Sequence, residues 1–346
     1  MAPGFHRLAT CCCAGCGDRG SRILGGTDRR AAGAGHIACL GDVLPFTLSH
    51  AAAVLPAVRG DGTGRGRLTP ALLVAGSFAP DMTYYAASVV PGAMEFGTVT
   101  HSFAGVFTVD VLTAWVLVAA WLLVREPLVA LLPPARQGRW AALTRCGAPR
   151  ARVRPASLLW WYVSAALGAL THVVWDAFTH FDRWGMRVFP VLGRPLAGAP
   201  LYWYLQYGGS AVAAVVIVAF VVRVLRRTPA DEPRGVPVLS SRDRWRATAV
   251  IGGCAGAGAV RRVALWWGGR GPSPDVRDLV PVLCFGAGSG LVVGLLAYAA
   301  GVRVWRPAAR VRDGGGAGAA GDGPDAAGVA AGRSAGPRPE APRRRP

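Results

Sequence analysis

The chain has no lysine: all 38 of its cationic side chains are arginine. It is poor in acid, with 19 Asp and Glu, and poor in charge altogether, at 16% of 346 residues. A soluble protein of this size carries about a quarter charged residues. With 52% hydrophobic residues, the shortage excludes an ordinary soluble globule and points to an integral membrane protein. The missing lysine says little by itself, because abundant Ala, Gly, Pro and Arg share a GC-rich coding bias. A net charge of +19 raises nucleic acid as a partner. The arginines, however, gather between apolar runs, as topology determinants do, so no nucleic-acid partner is expected. Eight cysteines give no disulfide framework: Cys11, Cys12 and Cys13 are adjacent, and Cys254 and Cys284 lie in apolar runs.

Residues 1–42 lack a sustained apolar period. Cys13-x-x-Cys16 and His36-x-x-Cys39 have a spacing that can clasp zinc. The stretch lacks the aromatic and aliphatic residues a finger packs around its metal, so it is expected to be a disordered N-terminal extension. Residues 43–304 form the expected transmembrane helical domain, and 305–346, rich in Gly, Ala, Pro and Arg without period, an expected disordered tail.

A helical crossing takes about 20 apolar residues. Residues 103–124, 156–180, 207–225 and 279–302 meet that length. Residues 247–267 are interrupted by Arg261 and Arg262, and 44–58 and 68–80 are short enough to re-enter rather than span. The expected fold is therefore all-α, a polytopic bundle of about five to seven membrane segments. Loop 125–155 carries seven Arg against one Glu, loop 223–246 seven Arg against three acids, and the tail from Arg303 nine against four. The alternate loops are poorer: 81–102 is net −2, 181–206 net +2 and 268–278 net zero. The positive-inside rule puts the first set in the cytoplasm of a multi-pass cell-membrane protein, provided 247–267 spans. Trp160, Trp161, Trp203, Trp266 and Trp267 near segment ends read as interfacial belt residues.

One apolar run ends THVVWDAFTH, residues 171–180. On a helix, positions i, i+4 and i+8 share one face with about 6 Å of rise between neighbours, so His172, Asp176 and His180 form a polar stripe. A carboxylate inside a bilayer costs about 2.5–3.5 kcal/mol on insertion scales and needs a partner. A divalent cation is a sufficient one, and imidazole with carboxylate suits zinc or a similar first-row metal. The outer histidines stand about 12 Å apart along the axis. Asp176 therefore either bridges two ions or shares one with a single histidine. Other segments supply His50, Asp81 and His101, and the topology drawn from arginine counts brings all six residues to the extracytoplasmic side. Each has a plainer reading: His50 as an interhelical hydrogen-bonder, Asp81 after Pro80 as a cap, His101 as a headgroup-level residue. Asp110, nine residues from His101, is expected on the opposite helix face and outside the site.

The stretches LPFTLSHAAAVLP (44–56), GSFAPDMTYY (76–85), THSFAG (100–105), LGALTHVVWDAFTH (167–180) and YLQYGGS (204–210) resemble a bacterial membrane family, the domain of unknown function 4184. The resemblance covers about residues 44–225 and more loosely the rest. Its members begin where Val43 or Leu44 stands, which implies that translation starts there from a non-AUG codon. The family is in turn distantly similar to membrane-bound, metal-dependent hydrolase-like proteins. That similarity implies shared polar positions at His50, Asp81, His101, His172, Asp176 and His180.

The expected activity is metal-assisted hydrolysis, with His101, His172 and Asp176 as first ligands and zinc as the metal. His50 and His180 are further ligands or part of a second ion's shell, and Asp81 is the preferred general base. Membrane lipids are the expected partners and a lipid-derived phosphoester or amide the expected substrate, with oligomeric state open. A proton- or cation-handling transporter, or a scaffold whose histidines only tie helices together, are the alternatives.

Overall fold

The computed structural model describes residues 47–149, 155–181, 183–229, 235–268 and 279–305. The Cys/His spacings of residues 1–42, the proposed start site and the tail from 306 lie outside the described residues.

Prolines set where several helices begin. Pro70, Pro134 and Pro155 each occupy the first helical position, where a missing N–H costs nothing and φ is already helical. A 3₁₀ turn at Thr47–His50 leads into α1 (Ala51–Val54); α2 is Pro70–Phe78, α3 Met82–Ala86, α4 Gly97–Thr100 and α5 Phe103–Phe107. Then come α6 (Val109–Ala130), α7 (Pro134–Cys146), α8 (Pro155–Thr179), α9 (Trp184–Val188), α10 (Leu201–Arg227), α11 (Ser241–Gly268) and α12 (Leu279–Trp305). The only strand pairing in a sheet among the described residues is a two-residue antiparallel hairpin, Pro195–Leu196 against Ala199–Pro200. The fold is all-α.

Four of these helices, α6, α8, α10 and α12, are long and apolar enough to cross a membrane. Their outward faces fit lipid: Val116 is 68% exposed, Val215 69% and Val293 53%, positions that a water-soluble bundle fills with polar residues. α11 is 28 residues long but carries Arg242, Arg244, Arg246, Arg261 and Arg262. It lies antiparallel along α12, so the structure keeps it in the bundle although composition alone does not select it. The described residues 47–58 of the first short segment, and the second, 68–80, stay short. They form a hairpin whose tip, around Arg59–Arg67, meets Cys146 and Gly147 at the end of α7.

Small residues bring the helices close. A Cβ on Gly168 of α8 would lie 2.2 Å from the Leu73 carbonyl oxygen, and one on Gly76 of α2 2.2 Å from that of Ala165. The two backbones therefore touch where only glycine fits. Glycines do the same between α11 and α12, where a Cβ on Gly290 would lie 2.0 Å from the Cys254 carbonyl oxygen. At the arginine-rich end, Val129, Ala130, Ala141, Leu239, Tyr298 and Val302 form a buried cluster, and the Tyr298 hydroxyl donates to the Pro127 carbonyl at 2.8 Å. The end of α8 and the starts of α6 and α10 gather at the opposite end.

Candidate metal centre

The close approach of α2 and α8 determines the chemistry one turn beyond it. His172, four residues after Gly168, is fully buried and its Nδ1 lies 2.8 Å from the Ser77 carbonyl oxygen, next to Gly76. A carbonyl only accepts, so Nδ1 carries a proton, and Nε2 offers its lone pair whenever the ring is neutral. His101, at the end of α4, is held the same way: its Nδ1 lies 3.0 Å from the Gly97 carbonyl oxygen, with the Thr100 hydroxyl at 3.2 Å. Such a bond to the far ring nitrogen is the usual orienting partner of a metal-binding imidazole.

Both Nε2 atoms face the same two carboxylates. His172 Nε2 is 3.4 Å from Asp81 Oδ1 and 3.2 Å from Asp176 Oδ2; His101 Nε2 is 3.5 Å from each of those oxygens. The four ligand atoms lie within 4.8 Å of one another. Asp81 Oδ2 accepts from the Thr47 hydroxyl, and Thr100 Oγ1 donates to the Pro80 carbonyl at 2.9 Å, fixing the turn that presents Asp81.

This arrangement could hold a cation. Two unit charges no more than 4.8 Å apart repel by at least about 3.5 kcal/mol at an effective dielectric of 20, and the two lone pairs add to that. Protonating both rings is the alternative, but charge-assisted N–H···O contacts close to about 2.7–2.9 Å. The four contacts here, 3.2–3.5 Å, are longer, and lie near the roughly 3.3–3.4 Å that separates neighbouring ligands held at about 2.0–2.1 Å from one ion. His172 Nε2 is buried with no hydrogen-bond partner. The donor set and spacing fit a divalent metal ion.

His50 and His180 stand at the edge of the quartet rather than in it. The His50 ring stacks on His172, centroids 3.8 Å apart, and its Nε2 is 3.5 Å from Asp176 Oδ1. His180 Nδ1 also lies 3.5 Å from Asp176 Oδ1, while its Nε2 receives the Gln206 side-chain amide at 3.2 Å. The stripe on α8 thus divides: Asp176 Oδ2 turns into the quartet and Oδ1 toward the two outlying histidines. Asp81 is placed among the ligand atoms, not apart from them as a free base. Tyr84 packs on His101 with centroids 5.6 Å apart, and burial pushes its phenol up to about 12, so it stays a protonated donor beside the site.

Asp110 stands outside the quartet, as the sequence reading has it. It is fully buried, and neither carboxylate oxygen has a hydrogen-bond partner among the described residues. The nine-residue count from His101 assumed one continuous helix, but the chain breaks at Ser102 (φ −96°, ψ 156°) and again at Thr108 (φ −127°, ψ −86°). An acid in the first turn of an apolar helix was the signal available.

No curated protein and no solved structure matches the chain. A sequence profile of the domain of unknown function DUF4184 matches residues 44–300, a span that contains the quartet and every residue that orients it, and the chain belongs to this family.

Proposed function

We propose that Asp81, His101, His172 and Asp176 hold a divalent metal ion, zinc by donor type, and that the protein is a metal-dependent hydrolase of the cell membrane. The observation that supports this best is the pair of Nε2 lone pairs, fixed by Nδ1–H bonds to backbone carbonyls, aimed at two carboxylates. When bound, such an ion supplies Lewis-acid polarisation and acidifies water to near-neutral pKa. The chain's residues do the rest. Ser77 and Gly97 orient the imidazoles, and Thr47 holds Asp81. His180, with 22% of its side chain exposed against 8% or less for the other three site histidines, exchanges protons between water and Asp176 Oδ1. The role of base thereby passes from Asp81, whose two oxygens are engaged, to His180.

The arginine-poor loops at this end support an extracytoplasmic opening. A site there lies at headgroup depth, which favours a lipid-derived phosphoester or amide. One observation favours a second reading: Asp110, buried and unpartnered in the first turn of a spanning helix, suits a proton- or cation-handling protein. Reconstituted protein assayed in parallel for lipid hydrolysis and for ion flux decides between them. Turnover that Asp176→Asn abolishes supports the hydrolase; flux without turnover supports the transporter.

A further inference from the structure

At the arginine-rich end, the tip of the α1–α2 hairpin and the start of α8 enclose a cavity of about 670 Å³. Arg59, Arg67, Thr63, Ser157, Trp160 and Trp161 line it, and among the described residues no acid does. Arg59 donates to the Thr63 hydroxyl at 3.4 Å and to the Gly64 carbonyl, and the Arg67 guanidinium lies 5.9 Å from the Trp160 ring centroid. Neither arginine forms a salt bridge among the described residues. The contrast is with Arg125 and Arg145, which share Glu126 at 2.8 and 3.5 Å. An adjoining cavity of about 420 Å³ shares Arg59 and adds Arg227. Its acid, Asp61, is turned onto Thr63, accepting from the backbone N–H at 2.9 Å and from the hydroxyl at 2.7 Å.

The place is as informative as the charge. Trp160 and Trp161 sit within the first two turns of a spanning helix, the depth at which indoles lie among headgroups. Fifteen residues of α8 separate Trp161 from Asp176, about 22 Å along the axis, so this cavity is remote from the quartet. Guanidiniums outside any salt bridge, the Ser157 hydroxyl and an apolar indole wall at one depth match a phosphate on an acyl chain, and basic recesses between membrane helices bind such headgroups.

We propose that this cavity binds a phosphate-bearing anion, and that the occupant is the phosphodiester headgroup of an anionic phospholipid from the arginine-rich leaflet. The proposal does not depend on the metal.

Native mass spectrometry of protein released from bilayers of equal parts phosphatidylcholine and phosphatidylglycerol tests it. The wild type retains phosphatidylglycerol in preference to phosphatidylcholine. Arg67→Gln, which removes no hydrogen bond seen here, lowers retention about fivefold, and Arg59→Gln with Arg67→Gln about thirtyfold. Circular dichroism unchanged from the wild type shows that the variants fold. Arg136→Gln, at the same end but outside the cavity, leaves retention unchanged. Equal loss in Arg136→Gln overturns the proposal in favour of diffuse surface charge, and equal retention in Arg67→Gln overturns it outright. A parallel arm adds inorganic phosphate to lipid-free protein in detergent: thermal stabilisation there, with none from phosphatidylglycerol, assigns the cavity to free phosphate and overturns the lipid source.

Discussion

Gly168→Ala tests whether the glycine contact between α2 and α8 sets up the metal centre. The new Cβ would sit 2.2 Å from the Leu73 carbonyl oxygen and 2.8 Å from the Ser77 nitrogen, both backbone atoms that no rotamer change can move. Ordinary contact needs about 3.4 Å or more, so the helices must part by about 1.2 Å. The 2.8 Å bond from His172 Nδ1 to the Ser77 carbonyl then stretches toward 4 Å and is lost. Overpacking of this kind costs about 1–3 kcal/mol, and removal of an orienting partner lowers metal affinity about 10–100-fold. The assay is thermal unfolding in detergent together with zinc affinity by chelator competition. Gly252→Ala in α11, where a Cβ meets nothing within 4 Å, is the control and leaves both unchanged or gains slightly in stability. A Gly168→Ala protein with wild-type stability and wild-type affinity would refute the link between helix contact and site.

Three further outcomes follow from the same geometry. His180→Gln keeps its metal but loses most turnover, because the residue stands outside the quartet; metal analysis and a lipid-hydrolase assay on one preparation check this, and loss of metal contradicts it. Metal affinity falls as the pH is lowered, since protons compete with the ion for both Nε2 atoms; an affinity by chelator competition that does not change with pH argues against histidine ligation. Gly290→Ala forces α11 and α12 apart and lowers thermal stability by about 1–3 kcal/mol, yet leaves metal content intact; unaltered stability contradicts the close packing.

The stripe of His172, Asp176 and His180 was legible because helical spacing is a property of sequence, and its burial in an apolar run marked it as needing partners. That Asp81 and His101 complete the group could be reached only through topology, which the arginine counts supplied. The orienting partners were not legible. The acceptors from His172 and His101 are the backbone carbonyls of Ser77 and Gly97, and any residue has a carbonyl; only tertiary approach selects these two. The burial of Asp110 was not legible for a related reason, since the breaks at Ser102 and Thr108 reset the helical phase on which its environment depends. The α11 segment shows the converse. Its arginines mask a spanning-length helix, and what keeps it in place is glycine packing against α12, which hydropathy does not register.

Metal analysis of the purified protein, prepared without chelator, is the most direct measurement of the central claim. The wild type carries about one zinc-like ion per chain, and Asp176→Asn and His172→Gln each carry less than about a tenth of that. Equal metal in all three proteins, or none in the wild type, contradicts the account.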